Sequence, residues 1–212
     1  KEYARRGMVL SDFWALRFDG VGRLYGGSAL NHLAASHVCV IGLGGVGSWA
    51  VEALARSGIG SMTLIDLDEV CISNTNRQLH ALQTTVGRSK GDVLAHRISQ
   101  INPECELLVR NEWLTVDSAS DVVRMESARA RGGFAVLDAI DGVWEKAALI
   151  DACVQQNAHI VTVGGAGGKA DPSAIRIGDL TAASSDKLLA STRSTLRKRY
   201  AYPVGSVHSR TT

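Results

Sequence analysis

The sequence predicts a doubly wound α/β fold: a Rossmann-like, mostly parallel sheet with helices on both faces. Three observations predict it. Short runs rich in β-branched residues alternate with stretches of helical periodicity. The runs are continuously apolar rather than alternating, as expected of strands covered on both faces. A Gly-x-Gly-x-x-Gly loop, Gly42-Leu43-Gly44-Gly45-Val46-Gly47, stands where one such run meets a periodic stretch.

Each element has a local reason. Residues 38–41 (Val-Cys-Val-Ile) form a strand that stops at glycine. Residues 48–57 place Trp49, Val51, Leu54 and Ala55 at helical spacing, and Gly58 and Gly60 end the helix. A second strand, 62–65, ends in Asp66. Residues 90–101 carry Val93, Leu94, Ile98 and Ile101 on one stripe, with Pro103 as the stop. A third strand at 107–109 and a polar helix over 118–131 follow. The strand 134–137 ends in Asp138, the helix 145–156 comes next, and the strand 160–163 ends in Gly164. Ligands of such sheets bind beyond the carboxyl ends of the strands. Here those ends are the glycine loop, 66–68, 138–141 and 164–168.

Composition excludes several classes. The chain has 212 residues, 45% hydrophobic and 21% charged, which is globular and not disordered. A net charge of +2 gives no global basic field of the nucleic-acid-wrapping kind. The sum hides an asymmetry: from Lys187 onward the chain carries Lys187, Arg193, Arg197, Lys198, Arg199 and Arg210 and no acid. The rest is net acidic. No apolar run is long enough for a transmembrane helix, and no apolar stretch follows the charged start, Lys1 to Arg6, so neither a span nor a secretory signal is expected. Cys39, Cys71, Cys105 and Cys153 never form Cys-x-x-Cys, so no zinc is expected. Cys39 and Cys153 lie in apolar stretches and read as buried, reduced thiols of a cytoplasmic protein.

The glycine loop is suited to an anion. Gly42 permits the tight turn, Gly44 admits a phosphate to the backbone amides, and Gly47 lets helix and strand pack. The helix start adds unpaired N–H groups. Asp66 is placed to accept from ribose hydroxyls. Loop and Asp66 alone suggest NAD as readily as ATP. Asn74-Thr75-Asn76-Arg77-Gln78 and Lys90 favour a triphosphate, whose charge needs arginine and lysine. Asp138 and Asp141, a few residues apart, offer oxygen ligands suited to Mg²⁺, although Asp138 reads equally as a helix cap.

In order, Gly-Leu-Gly-Gly-Val-Gly-Ser, Leu-Ile-Asp-Leu-Asp, Asn-Thr-Asn-Arg-Gln, Val-Gly-Arg-Ser-Lys, Ile-Asn-Pro and Asp-Ala-Ile-Asp resemble the E1-like ThiF/MoeB/HesA superfamily of adenylating enzymes. The stretch Arg17-Phe18-Asp19-Gly20-Val21-Gly22-Arg23-Leu24-Tyr25-Gly26 resembles its arginine arm. That stretch, together with residues 74–82 and Val-Gly-Gly-Ala-Gly-Gly-Lys at 163–169, is similar to the superfamily's threonylcarbamoyladenosine dehydratases. The resemblance implies that Gly42, Gly44, Gly45 and Gly47 contact phosphates and that Asp66 binds ribose. It implies that Asn74, Arg77 and Lys90 hold the triphosphate and that Asp141 binds Mg²⁺. Arg23 is expected to reach the ATP of a partner subunit, which makes the protein a homodimer.

The implied reaction is ATP-dependent dehydration of threonylcarbamoyladenosine at tRNA position 37 to its cyclic form. A sulfur-relay protein is a further implied partner. The implied organisation is an extension and arginine arm at 1–30, an ATP-binding domain at 31–180, and an incomplete start of the substrate region at 181–212. Relatives of this kind continue past Tyr200, so a fragment is expected. Two alternatives remain at this point: an adenylyltransferase that activates the terminal glycine of a ubiquitin-like sulfur carrier, and an NAD-dependent oxidoreductase or non-catalytic nucleotide-binding module. The first lacks an expected cysteine pair near 170–190.

Overall fold

The computed structural model describes residues 4–5, 8–9 and 11–204. The charged start at Lys1, Glu2 and Arg6, and the end of the basic tail with Arg210, lie outside the described residues.

Two short strands, β1 (Ala4–Arg5) and β2 (Met8–Val9), pair antiparallel. Helices α1 (Asp12–Tyr25) and α2 (Gly27–Ala35) follow as a hairpin closed by Trp14, Phe18, Leu30 and Ala34. Ser11 caps α1 by accepting from the Trp14 N–H. The expected arm is therefore largely helical. Phe18 packs on Gly58 just ahead of the second sheet strand, which seats α1 toward the amino edge of the sheet.

Five parallel strands make the main sheet: β3 (His37–Ile41), β4 (Ser61–Ile65), β5 (Glu106–Arg110), β6 (Phe134–Asp138) and β7 (His159–Thr162). Their order is β5-β4-β3-β6-β7. The chain starts at the centre, winds outward through β4 and β5, then returns to β3 and winds the other way. The reversal point lies between β3 and β6, where such sheets open a crevice. Register fixes its depth, because Ile41 lies opposite Ile65 on one side and Asp138 on the other. The loops after these three strands therefore leave the sheet at one level.

Helices α3 (Gly47–Arg56) and α4 (Lys90–Ile101) cover one face, burying Val51, Ala55, Leu94 and Ile98 on Val38, Val40, Met62 and Leu64. Helices α5 (Ala119–Arg129) and α6 (Val143–Gln155) cover the other, burying Val122, Val123, Leu149 and Cys153 on Cys39, Ile41 and Val136. Cys39 and Cys153 are fully buried, and burial pushes the Cys153 thiol up to about 12. Helix α7 (Lys187–Tyr200) lies outside α6, with Leu196 against Ala147 and Ile150.

The strands are not equally covered. β5 is half-buried throughout, and on β7 His159 and Val161 are exposed. Both strands are sheet edges with a single neighbour, which local hydrophobicity does not encode. Among the described residues no helix is long and apolar enough to cross a membrane.

Candidate active site

Gly42 leaves β3 with φ +87°, a left-handed conformation that favours glycine, and a Cβ there would lie 2.7 Å from the Ala139 carbonyl oxygen. At Gly47 a Cβ would collide with the Gly42 carbonyl oxygen. These two glycines shape the loop. Gly44 and Gly45 differ: a Cβ at Gly44 would meet only Gln78 Nε2, at 3.8 Å, and one at Gly45 would rest first on Arg77, with Cγ at 3.4 Å. A space flanked by Gln78 and Arg77 is therefore open to the loop backbone. No side chain caps the start of α3, so the positive end of that helix meets the same space.

Three groups brace the loop from below. Asp66 accepts from the Leu43 N–H (2.6 Å) and from the Asp68 N–H (2.8 Å). A carboxylate has further acceptor capacity, so ribose hydroxyls remain compatible with this clasp. His80 Nε2 lies 2.8 Å from the Leu43 carbonyl oxygen. That oxygen only accepts, so Nε2 carries the proton and Nδ1, buried without a partner, does not. Burial pulls the His80 pKa below its ordinary value, against the hydrogen bond to Leu43. Ser48 donates to the Gly44 carbonyl and accepts from the Leu79 N–H.

The segment after β4 is folded by its own side chains. Asn74 Oδ1 accepts from the Cys71 N–H (2.9 Å), and the Asn74 carbonyl accepts from the Arg77 and Gln78 N–H groups. Asn74 thus sets the turn that carries Arg77. The Arg77 guanidinium donates to the Ser73 carbonyl (3.0 Å) and to Asn76 Oδ1 (2.9 Å), while the Arg77 carbonyl accepts from Trp49 Nε1. Lys90, nearly buried at the start of α4, pairs with Asp68 (Nζ to Oδ2, 2.6 Å).

Asp138 departs from the sequence reading. It was expected, with Asp141, to form a pair of oxygen ligands for a cation. Instead it is fully buried, accepts from the Ile140 N–H (3.0 Å) and the Thr162 hydroxyl, and pairs with Lys146 (2.8 Å). Lys146 also donates to the Val163 carbonyl (3.1 Å). Burial draws the Lys146 pKa down, and the charges of Asp138, Asp141 and Asp186 oppose that shift. Asp138 is therefore a neutralised structural acid, whereas Asp141 is exposed. Among the described residues no group of three or more His, Cys, Asp or Glu is placed to hold a metal.

Gly42, Gly44, Gly45, Gly47, Asp66, Asn74, Arg77, Lys90 and Asp141 thus lie on the loops and helix starts at one edge of the sheet. Arg23 does not join them. It is exposed at the last turn of α1 and pairs with Asp19 at 3.1 Å. Asp68, Gln78, His80 and Lys146 were not singled out from sequence. Gln78 and His80 stood inside a quoted motif. Lys146 had only one signal, a lysine heading an apolar helix face.

The ThiF family profile matches residues 20–207. The tRNA threonylcarbamoyladenosine dehydratase of Escherichia coli is 49% identical over 91% of this chain and 70% of its own length. That of Haemophilus influenzae is 47% identical over 91% of this chain and 72% of its own. The crystal structure of the E. coli enzyme in complex with ATP superposes with a TM-score of 0.86 at 48% identity, covering 92% of this chain and 77% of that one.

Proposed function

The chain belongs to the ThiF family, and from that premise we propose that it is an ATP-dependent tRNA threonylcarbamoyladenosine dehydratase. One observation carries the reading beyond likeness. The space outside Gly44 is open to backbone, backed by a helix start and flanked by Arg77, which lies against Gly45, as a phosphate chain requires.

A carboxylate is a poor electrophile until one of its oxygens becomes part of a leaving group. In this reading the threonyl carboxylate of the modified adenosine attacks a phosphorus of ATP. Arg77 and Lys90 balance the charge that builds on the phosphate oxygens, the glycine-loop amides hold the chain in line, and Asp66 fixes the ribose. Asn74 holds Arg77 through its backbone. A ureido nitrogen of the same substituent then displaces the phosphorylated oxygen. That closure is intramolecular and gains a large effective concentration. The products are the cyclic nucleoside and cleaved ATP, with net loss of one water from the nucleoside.

Mg²⁺ would be held by Asp141 together with phosphate oxygens, since such an ion needs only one or two carboxylates beside the nucleotide. The exposed Asp141 fits that role and the neutralised Asp138 does not. When bound, the ion supplies charge neutralisation on the phosphates. Arg23, away from the site of its own chain, is assigned to a partner subunit's ATP in a homodimer. Residues 31–180 serve nucleotide binding, 181–212 begin the substrate region, and the cytoplasm is the expected location. A sulfur-relay partner is compatible with the same fold.

The test uses the chain with tRNA carrying threonylcarbamoyladenosine. Nucleosides from the digested tRNA should lose the mass of one water only when ATP is supplied. Pyrophosphate exchange stimulated by a protein ending in Gly-Gly, and not by this tRNA, would replace the reading with a sulfur-carrier adenylyltransferase.

A further inference from the structure

One surface feature is used neither by the fold nor by the nucleotide chemistry. Between the start of α6 and the outer helix α7 runs an open groove of about 370 Å³. Trp144, Ser191, Ser194, Lys198 and Arg199 line it. Trp144 is 55% exposed. The Arg199 guanidinium carbon lies 5.6 Å from the Trp144 ring centroid, so the ring is steadied by a cation on one side. No acid lies on α7, and none lines the groove.

The basic residues of α7 divide by use. Arg193 donates to the Leu180 and Ala183 carbonyls and braces the preceding segment. Lys198 and Arg199 point into the groove. Position adds the remaining element. Trp144 stands three residues beyond Asp141, as the second residue of α6, so the groove begins beside the loop that carries the acid.

We propose that this groove holds the unpaired nucleotides beside the modified adenosine of the substrate tRNA, with a base stacked on Trp144 and the backbone phosphates on Lys198 and Arg199. The proposal rests on the dehydratase reading and names the surface that reading leaves open. Unpaired RNA is recognised by stacking on aromatic rings and by cations that follow the backbone, and the groove offers both side by side. The Ser191 and Ser194 hydroxyls suit phosphate and 2′-hydroxyl oxygens.

The experiment measures binding of the full chain to an anticodon stem-loop RNA carrying threonylcarbamoyladenosine, by fluorescence anisotropy over a salt series. Trp144→Ala should weaken binding by about tenfold, and Trp144→Phe should retain most of it. Lys198→Ala with Arg199→Ala should reduce the slope of log affinity against log salt by about 1.4, the share of two phosphate contacts. ATP affinity, measured separately, should stay unchanged in all three. Should Trp144→Ala lose its cooperative melt, the salt slope of the double variant carries the decision. Unaltered RNA affinity and salt slope in the variants, with wild-type RNA binding intact, would overturn the groove alone. Loss of self-association in place of RNA binding would make it an interface between copies and also overturn it. A wild-type chain that binds ATP and no such RNA would overturn both the groove and the dehydratase reading.

Discussion

Lys146 Nζ lies 2.8 Å from Asp138 Oδ2, and both side chains are wholly shielded from solvent. The pair ties the end of β6 to α6, and the lysine reaches on to the Val163 carbonyl beyond β7. It thereby fixes the base of the loop that carries Asp141. Removing one partner strands the other charge. Lys146→Met should cost about 3–5 kcal/mol of stability, read from urea unfolding. Asp138→Asn combined with Lys146→Met should cost less than the sum of the two single changes, because the stranded charge is gone.

Two loop glycines should separate fold from binding. Gly42→Ala puts a side chain at positive φ and against the Ala139 carbonyl, so it should lower stability by about 1–3 kcal/mol. Gly44→Ala meets only Gln78 and should leave the melting temperature unchanged. Its methyl group occupies the space assigned to phosphate, so ATP affinity should fall about tenfold or more, as titration calorimetry would register.

Asp141→Ala and Arg77→Ala touch exposed side chains and should leave the melt intact while abolishing ATP-dependent loss of water from the modified nucleoside. Arg23→Ala should be inactive as well. Mixing Arg23→Ala with Asp141→Ala subunits should restore activity, since a mixed dimer contains one intact shared site. Absence of rescue would return Arg23 to a surface role.

His80 sets an acid limit. Its pKa in the fold lies below the ordinary 6.5 because burial disfavours the charged ring. Between the folded value and 6.5 the unfolded chain binds the proton and the folded chain does not. Stability should therefore be complete above 6.5 and decline as pH falls through that window. His80→Asn should flatten the decline of melting temperature between about pH 7 and 5. Glu126 acts at lower pH. Despite burial, hydrogen bonds from His37, Thr63 and Arg110 hold it below its usual value, so its contribution fades only below 4.5.

What the sequence made legible follows from punctuation. Helix α4 was read to the residue because a regular stripe fills it and Pro103 follows it, and Ser89 caps it in the structure. The strands of the glycine loop were legible because each ends at glycine or aspartate. The α1–α2 hairpin was read only as an arm, since Gly20, Gly22, Gly26 and Gly27 interrupt its pattern and its core depends on Trp14 meeting Leu30 across a turn. Asp138 was misread for a similar reason. Its neutralising lysine stands on the next helix, and a sequence shows an acid without its counter-charge. Edge exposure on β7 depends on strand order, which emerges only when the crossovers are made.

The pairing of cations at the site has a thermodynamic consequence. Lys90 is already matched by Asp68, and Arg77 rests on a carbonyl and a carboxamide. The pocket is thus not a bare positive hole surrounded by mobile counterions. An incoming triphosphate exchanges one fixed partner for another and displaces few dissolved ions. Nucleotide affinity should accordingly change little as potassium chloride is raised, while a strand of RNA on the open face of α7 should respond steeply. The two ligands of one small protein would then be separable by ionic strength alone.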